Sequence, residues 1–131
     1  MELQSVLGST TEAFKTMLKG VTDDMQMCIL NCLQCHQVCE RMVTHCLTKG
    51  GPHASVKHIT TLLDCSQICA VSADLMLRES AFHPQFCHVC AEICARCARE
   101  CEMLNDDSMM QMCIDVCQRC EESCRKMATQ H

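Results

Sequence analysis

The sequence lacks an excess of positive charge. Its 11 lysines and arginines are outnumbered by 16 aspartates and glutamates, which gives a formal net charge of −5. Nucleic acids and anionic membranes are bound by basic surfaces, so the composition argues against both as partners. The sequence also lacks an apolar run approaching the ~20 residues needed to span a bilayer. Tryptophan and tyrosine are absent, and the aromatic residues are Phe14, Phe82 and Phe86.

A secretion signal is not recognisable in residues 1–19. This segment is amphipathic and contains Glu2 and Glu12, whereas a signal peptide has a basic start, an apolar middle and a small-residue cleavage site. We therefore expect a cytoplasmic protein. Cytosolic thiols are kept reduced, so cysteines in that compartment more often bind metal or act in catalysis than form a disulfide scaffold.

Glycine and proline are scarce, with four and two residues, and they separate long segments that lack them. These segments are rich in Met, Leu, Ala, Glu, Gln, Lys and Arg, which favour helix. The sequence therefore predicts an all-α fold without strands. The five predicted helices span residues 3–19, 23–48, 53–79, 84–104 and 108–127.

Local signals mark the ends of several of these helices. Thr22 precedes two aspartates, residues 105–108 form a capping cluster, and Pro52 is expected in the first turn of the third helix. Short connections imply antiparallel neighbours. We predict an antiparallel up-down-up-down four-helix bundle over residues 22–131, preceded by a short amphipathic N-terminal helix in residues 1–21, as one domain overall. The apolar stripe of that first helix comprises Leu3, Leu7, Phe14, Met17, Leu18 and Val21.

Sulfur is abundant: 16 of the 131 residues are cysteine and 11 are methionine. Most neighbouring cysteines within a predicted helix are three or four residues apart. This spacing keeps side chains on one helical face, the seam that normally holds Leu, Ile or Val. The rows are Cys28, Cys32, Cys35, Cys39 and Cys46; Cys65 and Cys69; Cys87, Cys90, Cys94, Cys97 and Cys101; and Cys113, Cys117, Cys120 and Cys124.

Small thiols alone would leave the centre of a bundle underfilled, because protein cores are close-packed and voids are costly. We therefore expect a partly hydrated core that metal ions fill. Disulfides within one helix are disfavoured by nearly parallel Cβ vectors, whereas disulfides between helices remain geometrically open. Other residues on the same faces are Met42, Met109, Met110, Met127, His58, Leu62, Ser72 and Met76.

Thiolate and thioether ligands select Cu(I), Zn(II) or iron–sulfur clusters. Four thiolates on one Zn(II) leave two excess negative charges, which are expensive to bury repeatedly, whereas one Cu(I) per thiolate leaves a neutral core. Structural zinc and iron–sulfur sites also favour loop cysteines. The pattern thus favours several Cu(I) ions per chain. A zinc- or cadmium-buffering protein with a metallothionein-like role remains an alternative.

A redox protein with haem or an iron–sulfur cluster is a further alternative. Residues 32–36 match the haem-attachment pattern C-x-x-C-H, although His36 is expected on the flank of the second helix. An enzyme is not indicated, because the cysteines form repeats and no nucleophile–base pair stands out.

Four segments resemble the bacterial copper storage proteins, cysteine-rich four-helix bundles that hold many Cu(I) ions: CILNCLQCHQVC, CSQICA, CHVCAEICARCAREC and CIDVCQRCEESC. The resemblance covers about residues 22–128 and points to the cytosolic branch of the family. It implies a homotetramer, all 16 cysteines as ligands of Cu(I), and storage or detoxification of copper rather than catalysis. A protein that donates or accepts copper is then a further partner.

The predicted topology brings thioether and imidazole groups to one end of the bundle. Such groups bind Cu(I) more weakly than paired thiolates, which suits residues that admit an ion and pass it inward. We expect copper uptake at this end, through Met42, His58, Met109 and Met110, next to Cys46, His53, Cys101 and Cys113. The opposite end gathers Met25, Cys28, Met76, His83, Cys87, Cys124 and Met127. Surface positions are expected for His45, His88 and His131.

Overall fold

The computed structural model describes residues 2–129, without the side chains of residues 4, 6, 7, 9 and 10. The expectations for His131 and for the Leu7 side chain lie outside this range. The described residues form five α-helices and one 3-10 turn and contain no strand, so the all-α prediction is confirmed. The elements are α1 Leu3–Met17, α2 Asp23–Lys49, the 3-10 turn Gly51–Ala54, α3 Val56–Leu77, α4 His83–Met103 and α5 Ser108–Ala128.

The capping signals act as expected at α2 and α5. Thr22 Oγ1 accepts a hydrogen bond from the Met25 amide at 3.3 Å, and Asp107 Oδ1 accepts one from the Met110 amide at 2.8 Å. Each bond satisfies an amide that has no partner inside its helix. Helix α2 ends at Gly50, whose φ of 74° lies in the left-handed region that favours glycine.

The third helix begins later than predicted. Pro52 lies in the separate 3-10 turn Gly51–Ala54, and α3 starts at Val56. The reason is a stronger cap: Ser55 has an extended backbone, and its Oγ accepts a hydrogen bond from the His58 amide at 3.2 Å. Pro52 therefore lies in the 3-10 turn that precedes α3 and not in the first turn of α3 itself.

Helices α2 to α5 surround one core. Helix α2 packs against α3 and α5, and α4 packs against the same two helices. The start of α2 meets the end of α5, where Cys28 Sγ lies 3.6 Å from Cys124 Sγ. The end of α2 meets the start of α5, where Cys46 Sγ lies 3.8 Å from Met110 Sδ. The chain thus forms a helical bundle whose opposite ends hold different sets of side chains.

The backbone of α1 lies away from the other described helices, but Phe14, near the C-terminal end of α1, packs against the core. The segment that follows is anchored as well: Leu18 is buried and Val21 packs against the core. The Gln26 amide donates to the carbonyl oxygens of Leu18 at 3.0 Å and Val21 at 2.8 Å. Phe14, Leu18 and Val21 of the predicted apolar stripe are therefore covered, whereas Leu3 and Met17 are exposed.

Helix α3 would be long and apolar enough to cross a membrane by length and composition alone. The core helix of a soluble protein meets the same criterion. Here Lys57, Asp64 and Asp74 interrupt the apolar sequence. The face of α3 that carries Leu62, Cys65 and Cys69 is buried against α2 and α4, and the apolar residues on this face are part of the core.

Candidate metal-binding core

All 16 cysteines lie within the described residues, and each is fully buried as a free thiol. The three-and-four spacing of the sequence therefore does point the thiols of all four bundle helices inward. The seams that would hold leucine in an ordinary bundle hold sulfur along most of the core.

The thiols from different helices approach one another closely. The Sγ–Sγ distance is 3.7 Å between Cys35 and Cys117 and 3.6 Å between Cys69 and Cys94. A disulfide has an S–S bond of about 2.05 Å, whereas three or four sulfurs around one ion at metal–sulfur distances of about 2.3 Å lie about 3.8–4.0 Å apart. The observed spacing suits sulfurs that share an ion.

Five groups of thiols have all their sulfur atoms within 4.8 Å of one another. Neighbouring groups share cysteines, so the groups form a continuous series along the core. Their members are Cys28, Cys87 and Cys124; Cys32, Cys90, Cys120 and Cys124; Cys35, Cys69, Cys94 and Cys120; Cys35, Cys39, Cys65 and Cys117; and Cys39, Cys97, Cys113 and Cys117.

Neighbouring thiols change one another's acidity. The hydrogen bond from Cys101, at an Sγ–Sγ distance of 3.8 Å, lowers the pKa of Cys113 to about 6. The same contact raises the pKa of Cys101. In such a pair one thiolate is stabilised by the hydrogen bond from the neighbouring thiol. Two adjacent thiolates would repel each other, so a cation between the sulfurs is needed before both protons can leave.

The two remaining cysteines, Cys46 and Cys101, lie beyond these groups at one end. Cys46 Sγ is 3.4 Å from His58 Nε2 and 3.8 Å from Met110 Sδ. Burial raises the pKa of the Cys46 thiol to about 11, so it is protonated at neutral pH. The structure thus brings together a thiol, an imidazole and a thioether at the end where the sequence predicts them. Met42 is buried in the same core and Met109 is half-buried against it.

The sequence analysis missed Glu100, which borders this end. Its carboxylate is almost fully buried, with Oε1 3.8 Å from His58 Nδ1 and Oε2 accepting a hydrogen bond from Thr61 Oγ1 at 3.1 Å. Glu100 Oε1 and His58 Nδ1 lie too far apart for a hydrogen bond, so Glu100 places a carboxylate behind the imidazole without fixing which ring nitrogen carries the proton. Glu100 directly precedes Cys101 in the sequence. A residue at this position lies beside the row of cysteines on α4, so the helical spacing predicts a side chain at the edge of the core and not a buried carboxylate.

A cavity of about 270 Å³ leads from the surface to this end. His58 and Glu100 line it together with Pro52, Ser55 and Leu104. It gives the imidazole a connection to solvent although His58 itself is only 3% exposed.

Polar contacts close the loop between α4 and α5 over the same end. Lys49 Nζ pairs with the carboxylates of Asp106 and Asp107, and His53 Nε2 lies 3.0 Å from the Leu104 carbonyl oxygen. His45 Nε2 lies 2.9 Å from Asp107 Oδ2. His45 thus lies at the surface, as predicted, and the capping aspartate of α5 partly covers it.

Two other histidines lie away from the thiols. His36 is on the flank of α2, as expected, where its Nδ1 is 2.8 Å from Ser66 Oγ on α3. This contact turns the histidine of the C-x-x-C-H motif away from the core. His88 is exposed and pairs with Glu92 along α4 at 3.0 Å, which confirms its predicted surface position.

The opposite end holds the group Cys28, Cys87 and Cys124. Met76 and Met127 are fully buried there, and Met25 is half-buried against the core. His83 begins α4 and is half-buried. The structure therefore gathers the sulfur-rich set that the sequence assigns to this end.

Comparison with known proteins agrees with this arrangement. Residues 21–129 match the sequence profile of the copper storage protein family. The protein Nmul_A1745 from Nitrosospira multiformis has 43% sequence identity and a TM-score of 0.76, with 82% of this chain and 97% of that chain covered. The Cu(I)-bound copper storage protein BsCsp3 has 33% identity and a TM-score of 0.75, with 82% and 100% covered.

A third relative is a cytosolic copper storage protein from Streptomyces lividans, in a structure with five coppers. It has 26% identity and a TM-score of 0.76, with 83% of this chain and 95% of that chain covered. The profile match extends over most of the chain and includes every cysteine. The chain therefore belongs to the copper storage protein family.

Proposed function

We propose that this protein stores many Cu(I) ions as cysteine thiolate complexes inside its helical bundle. The observation that carries the proposal is the continuous series of five groups of buried thiols. Because neighbouring groups share cysteines, ions bound in one group would be bridged through sulfur to the next. The known structures of two relatives contain copper, as Cu(I) in BsCsp3 and as five coppers in the Streptomyces lividans protein.

The charge of the core supports Cu(I) over Zn(II). No lysine or arginine is found among the buried residues of the described chain, so no protein cation offsets the charge of the thiolates. A series of tetrathiolate zinc sites would bury two negative charges at each ion. One Cu(I) per thiolate neutralises the core without help from the protein.

We further propose that α2 to α5 form the antiparallel up-down-up-down arrangement that the sequence predicts. The contacts between Cys28 and Cys124 and between Cys46 and Met110, at opposite ends of α2 and α5, support it. The short connections between successive helices support it as well. In this arrangement all four helices present their thiols to one interior.

An anaerobic titration of the reduced apoprotein tests the storage function. We expect tight binding of roughly one Cu(I) per cysteine, because thiolate ligands strongly prefer this soft ion. Binding is measured by competition with a Cu(I) chelator and by metal analysis after desalting. A parallel titration with Zn(II) is the control: saturation at about four zinc ions together with weak copper uptake would instead support a zinc-buffering protein.

Copper uptake at the end with Met42, His58, Met109 and Met110 is part of this proposal. The cavity beside His58 and the 3.4 Å contact between His58 and Cys46 support it. An ion would meet an imidazole and thioethers first and then pass to paired thiolates, which hold it more tightly.

The triple variant Met42→Leu, His58→Gln and Met110→Leu is expected to take up Cu(I) about tenfold more slowly, since weaker contacts to the incoming ion raise the barrier by about 1.4 kcal/mol. Its final stoichiometry should remain almost unchanged. Stopped-flow absorbance of the forming copper–thiolate bonds gives the rate. Met112→Leu, on an exposed part of α5, is the control. Equal rates in the triple variant and the wild type would remove this uptake route.

We also propose a cytoplasmic homotetramer that exchanges copper with a donor or acceptor protein, for supply, detoxification or both. The family resemblance is the basis for the tetramer. The cytosolic relative from Streptomyces lividans supports the compartment.

A further inference from the structure

The end of the bundle opposite the proposed uptake site also carries ligands for copper. Cys28, Cys87 and Cys124 form one group there, and Cys28 Sγ lies 3.6 Å from Cys124 Sγ. Cys124 belongs to the adjoining group as well. Any ion held by these three thiols is therefore one step away from the rest of the series.

His83 supplies an imidazole nitrogen that no protein contact uses. Its Nδ1 is buried and has no hydrogen-bond partner among the described residues. A buried polar atom without a partner is costly, so such atoms are rare and call for an explanation. A neutral ring leaves one nitrogen with a free lone pair, as a metal ligand requires.

A cavity of about 860 Å³ opens this end to solvent. Met25 and His83 line it, together with Ser80, Pro84 and Val89. It is about three times the volume of the cavity beside His58 and falls in the range of sites that hold small ligands. His83 thus combines a buried nitrogen without a partner with a position on the cavity wall, one helical turn before Cys87 on α4.

We propose that this end is a second copper port, where His83 acts with Cys28, Cys87 and Cys124 as an exchange site for Cu(I) carried by a small thiol or chelator in the cavity. The inference rests on the proposed storage function. In withdrawal, a Cys28–copper bond breaks as a carrier–copper bond forms. The proton of the carrier's thiol passes to the Cys28 thiolate, and copper stays in the +1 state throughout.

Two ports separate uptake from withdrawal. An ion can be removed from the Cys28 end while others are admitted at the Cys46 end, because the shared cysteines connect the two.

The substitution His83→Ala tests the port. We expect about tenfold slower removal of copper from the fully loaded protein by excess bathocuproine disulfonate, with unchanged final stoichiometry. His83→Met should restore much of the rate, because a thioether also binds Cu(I). His36→Ala, on the flank of α2 and away from this cavity, is the matched control and should leave the rate unchanged. The apoproteins are compared by circular dichroism to establish equal helicity.

A spectroscopic measurement on the wild type completes the test. The ring resonances of His83, followed by ¹⁵N NMR of the full chain, should shift as the first Cu(I) ions are withdrawn from the fully loaded protein by glutathione. Unchanged removal kinetics in His83→Ala, or a His83 ring that does not respond to copper, would overturn the second port. Failure of the wild type to bind multiple Cu(I) ions would instead overturn the storage function, so the two failures are distinguishable.

Discussion

Filling the reduced apoprotein with Cu(I) is expected to raise its Tm by more than about 20 °C. A ligand that binds only the native state stabilises it by about 4 kcal/mol for each site at a free concentration of a thousand times Kd. One kcal/mol corresponds to a few degrees for a domain of this size. Several tightly bound ions therefore produce a shift much larger than any single side-chain contact.

The structure gives a reason for a modest starting stability. Few large apolar side chains are fully buried, and the central part of the core consists of small thiols. Such a core buries less apolar surface than the leucine seam of an ordinary bundle, and the ions fill the remaining space.

Thermal unfolding followed by circular dichroism, at increasing copper equivalents and without oxygen, measures this shift. The same protein stripped with a chelator serves as the control and should return to the Tm of the apoprotein. Identical melting curves with and without copper would show that the thiols alone already pack the core.

Replacing two shared thiols should remove more copper than the number of thiols alone predicts. Cys35 and Cys117 each belong to two groups, and three of the five groups lose a member when both become serine. We therefore expect the double variant Cys35→Ser and Cys117→Ser to lose about half of its Cu(I) capacity, because an ion with too few thiolate ligands is no longer held.

The matched control removes the same number of thiols from one end. Cys46→Ser and Cys101→Ser delete cysteines that belong to none of the five groups, so this variant should lose about two ions or fewer. Metal analysis after anaerobic desalting gives both capacities, and circular dichroism verifies the helices. Equal losses in the two double variants would mean that the ions bind independently rather than in connected groups.

The parts of this structure that depend on local periodicity were predictable from the sequence. Steps of three and four residues fix which face of a helix carries the cysteines, whatever the neighbouring helices do. The two sets of residues at the bundle ends followed from helix length and connection length alone. The contact of Cys46 with His58 and Met110 is an example.

Features that depend on how the helices are rotated and shifted against one another were not predictable. The sharing of Cys35 and Cys117 between groups requires the relative register of α2 and α5, which no single helix encodes. Glu100 reaches His58 only because α3 and α4 pack closely at that level. The sequence also did not predict where α1 packs, because an amphipathic stripe indicates a buried face without indicating what covers it.

Helix α3 differs from its three neighbours in a way that affects the emptied protein. It contributes two cysteines, and Leu62, Ala73 and Met76 are buried along the same wall of the core. These apolar contacts need no ion to form. A zinc finger, whose fold depends on its ion, unfolds when the ion leaves. Because one wall of the core needs no ion, we expect the bundle to stay folded when its copper is removed.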